Sequence, residues 1–225
     1  MSAFNIYGVW GNALPNNNTL FNLYKTVYKG FHIRVDWSKF ETSRGVYSTS
    51  YLNTQFNKVT NAGLYASFNI IISPSSGGST PSYLFSAPDS VPLLITDRGE
   101  YPYYFNTNFK ARYQAMLNQI QAYIQSYANL SYVKAWQISE GTTGDEGPYK
   151  GTILDVKING TSIPPGNVND YIITDNQWDT YKKTEVWAPR WASANSAIPT
   201  VKLSFNSANN GQNFDYVNTN LATSW

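Results

Sequence analysis

The sequence predicts an α/β fold built like a (β/α)8 TIM barrel, of which about five β/α units are visible in the 225 residues. Strand-like and helix-like segments alternate along the chain, an order typical of a parallel sheet with right-handed crossovers. Residues 64–72, LYASFNIII, form an almost continuous apolar run, as expected for a strand buried on both faces. A doubly wound sheet fits the same order, but no GxGxxG or GxxxxGKS/T motif follows a strand. The barrel is therefore favoured, as a partial one.

The remaining elements follow from periodicity and from the residues that end each segment. Further strands are short runs rich in β-branched and aromatic residues, at residues 4–10, 31–37, 133–138 and 200–205. Helices have apolar residues spaced by three and four, at residues 20–28, 51–62, 108–127 and 177–194. Gly30 and Gly63 follow the first two helices as C-caps. The chain thus contains five strands separated by four helices.

Two insertions are predicted within a single domain that spans residues 1–225. Residues 73–104 are proline-rich and irregular, and they follow the third strand, where a loop would shape a ligand cleft. Loops of this length in compact domains are usually functional, although a surface excursion or a subunit contact is the alternative. Asn159 and Gly160 predict a hairpin at about residues 151–166, inserted after the fourth strand.

The composition favours a sugar ligand and excludes several other function classes. Charged residues are 13% of the chain and aromatic residues 16%, with 18 Tyr and 7 Trp. A polar, weakly charged surface with many rings suits sugar hydroxyls and pyranose faces, although a tyrosine-rich globular protein of any function has the same composition. The net charge is +2 without an extended basic block, so nucleic acid is not an expected partner.

The scarcity of metal-binding and thiol side chains narrows the chemistry further. The chain has no cysteine and a single histidine, His32, so no metal site and no cofactor are expected. No apolar stretch approaches the ~18 residues that a membrane-spanning helix requires. The N-terminal residues MSAFNIYGVWGN contain no signal peptide in this chain. Localisation stays open, with an extracellular or virion-surface position favoured.

Residues 132–151, YVKAWQISEGTTGDEGPYKG, are the most informative part of the sequence. An apolar strand stops at Ser139 and Glu140, and a glycine-rich loop with Asp145 and Glu146 follows. α/β barrels hold their catalytic groups where a strand opens into such a loop. Acidic groups flanked by aromatic residues are also typical of sugar-cleaving sites. Glu140 is the catalytic candidate, and the alternative is a loop carboxylate that accepts backbone N–H groups.

Polar residues near Glu140 and on the second and third strands are candidates for substrate binding. Asp145 would bind sugar hydroxyls or form a turn; Ca²⁺ binding by Asp145 and Glu146 lacks the spaced acidic series of an EF-hand. Tyr149 follows the acidic loop. Arg34 and Asp36 share one face of their strand with His32, and they would contact substrate or pair with each other.

Three tryptophans and one asparagine complete the set of candidate binding residues. Trp10, Trp37 and Trp136 lie at or near strand ends, where they would form platforms for sugar rings or fill the core. Asn69, on the third strand, would hydrogen-bond a ligand or satisfy a core group. Each of these positions has both a functional and a structural interpretation.

Residues 33–70, IRVDWSKFETSRGVYSTSYLNTQFNKVTNAGLYASFNI, resemble the β2–α2–β3 portion of glycoside hydrolase clan A, the retaining (β/α)8 glycosidases. The match is a strand with Arg and Trp near its end, then F-E-x-x-x-G-x-Y at Phe40, Glu41, Gly45 and Tyr47, then a helix and A-G-L at residues 62–64. WQISE, residues 136–140, resembles the fourth strand of that clan, which ends in the acid/base glutamate. The resemblance covers roughly residues 4–205.

The resemblance implies roles for two charged residues and marks two departures from the clan's pattern. Glu140 would be the acid/base, and Arg34 would hold the nucleophile ionised. Ser139 stands where the clan has an asparagine that binds the sugar 2-hydroxyl. The clan's nucleophile ends the seventh strand, which is not identified here, and retaining cleavage needs that second carboxylate about 5–5.5 Å from the first. Another chain or a C-terminal segment would then complete the barrel.

Two function classes follow from these observations. The first is a glycoside hydrolase-like protein that acts on or binds an oligosaccharide or polysaccharide in a cleft at the carboxyl ends of the strands. The second is a non-catalytic carbohydrate-binding, adhesive or structural assembly module, secreted or on a phage surface, that keeps a degenerate barrel. Whether the chain is an enzyme stays open at this point.

Overall fold

A five-stranded parallel sheet forms the centre of the protein, seen in a computed structural model that describes residues 10–11, 14–73, 78–137, 139–142, 147–192 and 196–204. Its strands are β1 (Trp10–Gly11), β2 (Gly30–Asp36), β5 (Tyr65–Ile71), β8 (Val133–Gln137) and β11 (Lys202–Ser204). They are adjacent in the order of the chain and all parallel. A doubly wound sheet reverses its strand order at a switch point, whereas a barrel keeps it, so this is barrel topology.

Helices connect the strands and cover one face of the sheet. The α-helices are α1 (Asn18–Tyr24), α2 (Trp37–Phe40), α3 (Thr49–Thr60), α4 (Thr107–Ser126) and α5 (Asp175–Tyr181). Asn17, Ser48 and Asn106 accept backbone N–H groups at the N-termini of α1, α3 and α4. Gly63 has φ +72°, which favours glycine, just after α3. Within the described residues, no helix is long and apolar enough to cross a membrane.

The two faces of the parallel sheet differ in polarity. On β2, Phe31, Ile33 and Val35 are fully buried and pack in the main core with residues of α3 and α4. His32 and Asp36 alternate with them and are half-buried, and Arg34 is exposed. A closed barrel would enclose this second face. Here the polar face stays accessible, as expected when only part of the barrel is present.

A short hairpin follows α2 and includes the F-E-x-x-x-G-x-Y motif, with strands β3 (Glu41–Ser43) and β4 (Val46–Tyr47). Glu41 is 1% exposed and accepts hydrogen bonds from Trp37 Nε1 at 2.7 Å and from the Gly45 backbone N–H at 2.9 Å. Gly45 has φ +74°, so the turn requires a residue that tolerates a left-handed backbone. One buried carboxylate, that of Glu41, thus closes the turn of its own motif.

The second sheet has four antiparallel strands and joins the two predicted insertions. Its strands are β6 (Leu93–Thr96), β7 (Gly99–Pro102), β9 (Ile153–Ile158) and β10 (Thr161–Ser162). They pair in the order β10-β9-β6-β7, so the hairpin after β8 pairs with a hairpin inside residues 73–104. The prediction that residues 73–104 are irregular throughout is therefore wrong for residues 93–102. We call this unit the accessory sheet.

The fifth helical segment differs from the single α-helix predicted at residues 177–194. A capping box of Thr174 and Gln177 starts α5, which ends at Tyr181. The chain then continues as a π-helical segment, Lys182–Ala192. Pro189 lies in this segment and has no N–H to donate, which disfavours a regular α-helical ladder there. The first predicted strand is described only at Trp10–Gly11, and its residues 4–9 lie outside the described residues.

Leu52→Ala should lower the free energy of unfolding by about 2–5 kcal/mol, because Leu52 is fully buried on α3 and its loss leaves a cavity. Leu154→Ala is the matched control, since Leu154 is 64% exposed on the accessory sheet; it should cost less than about 0.5 kcal/mol. Urea unfolding followed by tryptophan fluorescence measures both. Equal losses of unfolding free energy in the two variants would contradict the burial of Leu52 in the core.

Candidate functional site

The carboxyl ends of the parallel strands hold two separate groups of the predicted site residues. Arg34 and Asp36 line an open groove of about 340 Å³, which we call the mouth groove. Glu140 lies instead in a buried polar cluster at the end of β8. The mouth groove is lined by Leu14, Asn16, Arg34, Asp36, Lys39, Tyr51, Gln55, Ile71 and Ser79.

Asp36 makes three polar contacts in the mouth groove. Its carboxylate contacts Lys39 Nζ at 2.6 Å and accepts a hydrogen bond from Ser79 Oγ at 3.0 Å. Its backbone N–H donates to the Tyr51 hydroxyl at 3.2 Å. The contact with Asp36 raises the pKa of Lys39, and burial raises the pKa of Tyr51. Asp36 is thus fixed in position, while Lys39 remains 65% exposed to solvent.

Arg34 does not pair with Asp36, which was one of the two predicted arrangements. Among the described residues Arg34 has no ion-pair partner, and it is exposed at the groove wall. Its guanidinium is therefore available to donate several hydrogen bonds to a ligand. The groove combines an available cationic donor with an anchored carboxylate.

His32 and Asn69 lie beside Arg34 on the polar face. His32 Nδ1 and Ser67 Oγ are 3.0 Å apart across the β2–β5 pair, and Arg34 is level with Asn69 in the same register. Burial lowers the pKa of His32, opposed by its hydrogen bond with Asn69 and assisted by the charge of Arg34. Asn69 is 5% exposed, so its amide is held within the sheet face rather than open to solvent.

Glu140 is completely buried and forms an ion pair with Arg190. The Arg190 guanidinium and the Tyr181 hydroxyl both donate to Glu140 Oε1. Glu140 Oε2 accepts no hydrogen bond from the described part of the chain. Glu140 Oε1 is therefore bound by two residues of the fifth helical segment, Tyr181 and Arg190, which lie 41 and 50 residues further along the chain.

Three groups around Glu140 have raised pKa values. Burial, together with the negative charge of Glu140, raises the pKa of Tyr181, and the same two causes raise that of Tyr113. Burial alone would lower the pKa of Arg190, but Glu140 and Tyr181 more than offset it, so the net shift is upward. Both tyrosines therefore stay neutral beside the charged pair, and Tyr181 donates a hydrogen bond to it. The arrangement stabilises Glu140 as an ion-pair partner.

Ser139 also has a specific structural partner. Its hydroxyl accepts the backbone N–H of Ile70 at 3.0 Å, and Ser139 is 1% exposed. The loop after Glu140 closes where the Thr142 N–H donates to the Gly147 carbonyl at 2.7 Å. Ser139 thus joins the ends of β8 and β5.

The three tryptophans have different environments. Trp136 is fully buried and stacks on Phe68 with ring centroids 5.2 Å apart. Trp37 is fully buried and packs edge-on against Tyr113 at 5.5 Å. Trp10 is half-buried and lies next to Gly30 in the β1–β2 register. Only Trp10 has a ring with solvent-accessible surface.

The remaining predicted residues lie around the accessory sheet or outside the described residues. The Tyr149 hydroxyl accepts the Ile173 N–H at 3.1 Å, and its ring packs against the accessory-sheet core. Asp145 lies outside the described residues. Within the described ranges, no group of three or more His, Asp or Glu residues is placed to hold a metal ion. The roles of these residues, and of Glu140, stay predictions.

Sequence reasoning missed five residues that shape these two groups. Lys39 follows Asp36 by three positions, and that spacing was a usable signal for an ion pair. Tyr51 and Ser79 reach the groove from other elements, and Tyr181 and Arg190 reach Glu140 from the fifth helical segment. These four contacts depend on tertiary structure, so no local sequence pattern predicts them.

Arg190→Met should lower the free energy of unfolding by about 3–5 kcal/mol, because it leaves the Glu140 carboxylate buried without a counter-charge. Adding Glu140→Gln to Arg190→Met should recover part of that loss. Lys39→Met removes the exposed ion pair with Asp36 and should cost about 0–1 kcal/mol. Urea unfolding measures all three, and an Arg190→Met loss no larger than that of Lys39→Met would contradict a buried ion pair.

Comparison with known proteins shows similarity in fold alone. No protein-family model matches the chain, and no curated protein matches it by sequence. Among solved structures, PbGH5A, a glycoside hydrolase family 5 enzyme from Prevotella bryantii B14, is similar with a TM-score of 0.51 and 13% identity over 91% of this chain and 50% of that chain.

Two further structures show the same similarity. The exo-β-1,4-mannosidase Op5Man5 from Opitutaceae bacterium strain TAV5 has a TM-score of 0.50 and 13% identity, over 88% of this chain and 31% of that one. A GH5_18 protein from Streptomyces cattleya in complex with Manβ1-4GlcNAc has a TM-score of 0.50 and 12% identity, over 87% and 44%. The chain spans half or less of these structures. Its fold is therefore similar to part of the barrel of these glycoside hydrolases.

Proposed function

We propose that this chain binds a β-linked oligosaccharide or polysaccharide at the carboxyl face of its parallel sheet, through the mouth groove. The observation that carries this proposal is the groove itself, where Arg34 is unpaired among the described residues beside the anchored Asp36. An exposed guanidinium beside an anchored carboxylate matches the donor and acceptor character of sugar hydroxyls. The position agrees with the rule that barrel ligands bind at the C-terminal face of the strands.

Recognition is favoured over cleavage because of the surroundings of Glu140. A general acid must reach the glycosidic oxygen within hydrogen-bonding distance. Glu140 is fully buried, and Arg190 and Tyr181 occupy one of its oxygens. Cleavage with Glu140 as the acid/base, the glycosidase alternative, requires this pair to open and a second carboxylate to be supplied.

Isothermal titration calorimetry, with β-1,4-linked manno-, xylo- and cello-oligosaccharides titrated into the protein, tests the proposal. At least one series should bind, and Arg34→Ala should weaken that binding about tenfold, since hydrogen bonds to charged groups contribute about 1.5–3 kcal/mol. Arg98→Ala is the matched control, because Arg98 is exposed on the accessory sheet and is not part of the mouth groove. If no series binds, or if the two variants behave alike, the proposal is wrong.

Release of reducing ends from the same sugars separates binding from cleavage. Under binding alone, the unsubstituted chain and Glu140→Gln both release none. Hydrolysis that Glu140→Gln abolishes, with binding retained, would establish the glycosidase alternative instead.

An exposed apolar stripe favours a second candidate function, assembly with a further polypeptide. Leu20, Leu23 and Val27 on and just after α1 are 43%, 61% and 66% exposed. In a closed barrel this flank of the first helix would pack against the helix of the last unit. We infer that another chain or a C-terminal segment supplies the missing units there, and an extracellular or phage-surface setting stays part of this proposal.

Self-association tests the simplest form of assembly, in which the stripe is covered by a second copy. Light scattering over a range of concentrations should show a dimer, and Leu23→Lys should shift it to monomer because a buried unpaired charge is costly. Lys29→Leu, at an exposed position near the same helix, should leave the dimer unchanged. A monomer at all concentrations for the unsubstituted chain would exclude this form.

A further inference from the structure

We propose a second carbohydrate-binding site on the accessory sheet, which holds the continuation of a glycan chain that leaves the mouth groove. This inference rests on the proposed function and adds the ligand's length: a polymer rather than a disaccharide. The site is a separate groove of about 430 Å³, which we call the accessory groove. Its volume lies in the range of about 300–1,000 Å³ typical of small-ligand sites.

The accessory groove lies on the face of the accessory sheet that is turned away from its core. Leu94, Tyr101 and Val156 are fully buried on the core side. Alternation of side chains places Leu93, Glu100 and Lys157 on the other side, where they line the groove. The two insertions must pair to form this surface, because Glu100 comes from one hairpin and Lys157 from the other.

The chemistry of the lining fits a neutral sugar. Phe85 and Leu93 provide an aromatic ring and an apolar wall, and Ser82 and Ser86 provide hydroxyls. Glu100 and Lys157 carry one charge of each sign, so the lining has no net charge that would select a phosphate or a nucleic acid. A pyranose combines apolar ring faces with equatorial hydroxyls, and this combination matches such a lining.

The two grooves lie on either side of one short, rigid segment. Ser79 lines the mouth groove, whereas its neighbours Gly78 and Thr80 line the accessory groove. The segment is held from both directions, since the Ser79 carbonyl accepts the Ser38 N–H at 2.8 Å and Thr80 Oγ1 donates to the Ile72 carbonyl at 2.9 Å. A glycan that crosses residues 78–80 passes directly from one groove to the other.

A tight turn of the β9–β10 hairpin also lines the accessory groove. Asn159 has φ +51° and Gly160 has φ +81°, and both line the groove at the tip of the β9–β10 hairpin. Consecutive left-handed residues at a two-residue turn are typical of a type I′ hairpin. This turn and the hydrogen-bonded residues Ser79 and Thr80 give the groove a defined backbone, and a site ordered before binding loses less entropy.

Isothermal titration with two chain lengths of the same β-1,4-linked sugar tests the inference. The hexasaccharide should bind at least about tenfold more tightly than the disaccharide, since only the longer chain reaches both grooves. Phe85→Leu and Lys157→Gln should each remove most of that length advantage while leaving disaccharide affinity unchanged. Retained disaccharide affinity shows at the same time that these variants fold.

The control is Lys29→Gln, at an exposed position beside the opposite, amino-terminal end of the sheet, and it should keep the full length advantage. Disaccharide binding with no length advantage, or a length advantage that Phe85→Leu and Lys157→Gln leave intact, would overturn the accessory groove and leave the proposed function standing. Absence of binding at both lengths would overturn both.

Discussion

The buried ion pair between Glu140 and Arg190 holds the fifth β/α unit against the rest of the sheet. Glu140 follows β8, and Arg190 lies in the π-helical segment that leads to β11, so one contact joins two units of the barrel. Burying both charges has a large desolvation cost, which close pairing and the Tyr181 hydroxyl help to offset. The pair is therefore maintained only if the fifth unit packs tightly, and the fit of β11 beside β8 depends on it.

Several aromatic residues are buried in the core, some of them around this ion pair. Their abundance favoured sugar platforms, but Tyr101, Tyr104, Tyr113, Trp37 and Trp136 are all fully buried. Tyr104 and Tyr113 surround the charged cluster, where burial and Glu140 raise their pKa values and keep them neutral. A phenol is suited to a core position because its ring contributes a large apolar surface. Under the proposed function, the mouth groove therefore relies on polar side chains more than on rings.

Local patterns predicted the regular elements but could not predict their long-range partners. Helix α4 and strand β5 lie within a residue or so of the predicted ranges, because each repeats its apolar positions over many residues. Strand β7 is GEYP, whose glycine and proline disfavour a strand, and only pairing with β6 makes it one. Glu140 was predicted at the end of a strand, whereas its pairing with Arg190 across 50 residues has no sequence signal.

Ser139, the residue before Glu140, has a structural role. An asparagine there would offer an amide to a ligand, but the Ser139 hydroxyl instead accepts the Ile70 N–H and fixes β8 against β5. Glu140 beside it is likewise directed into the protein. Two adjacent positions expected to contact substrate thus stabilise the strand ends, whereas Arg34, Asp36 and Lys39 line the mouth groove. Under the proposed function, this arrangement favours holding a sugar chain over cleaving it.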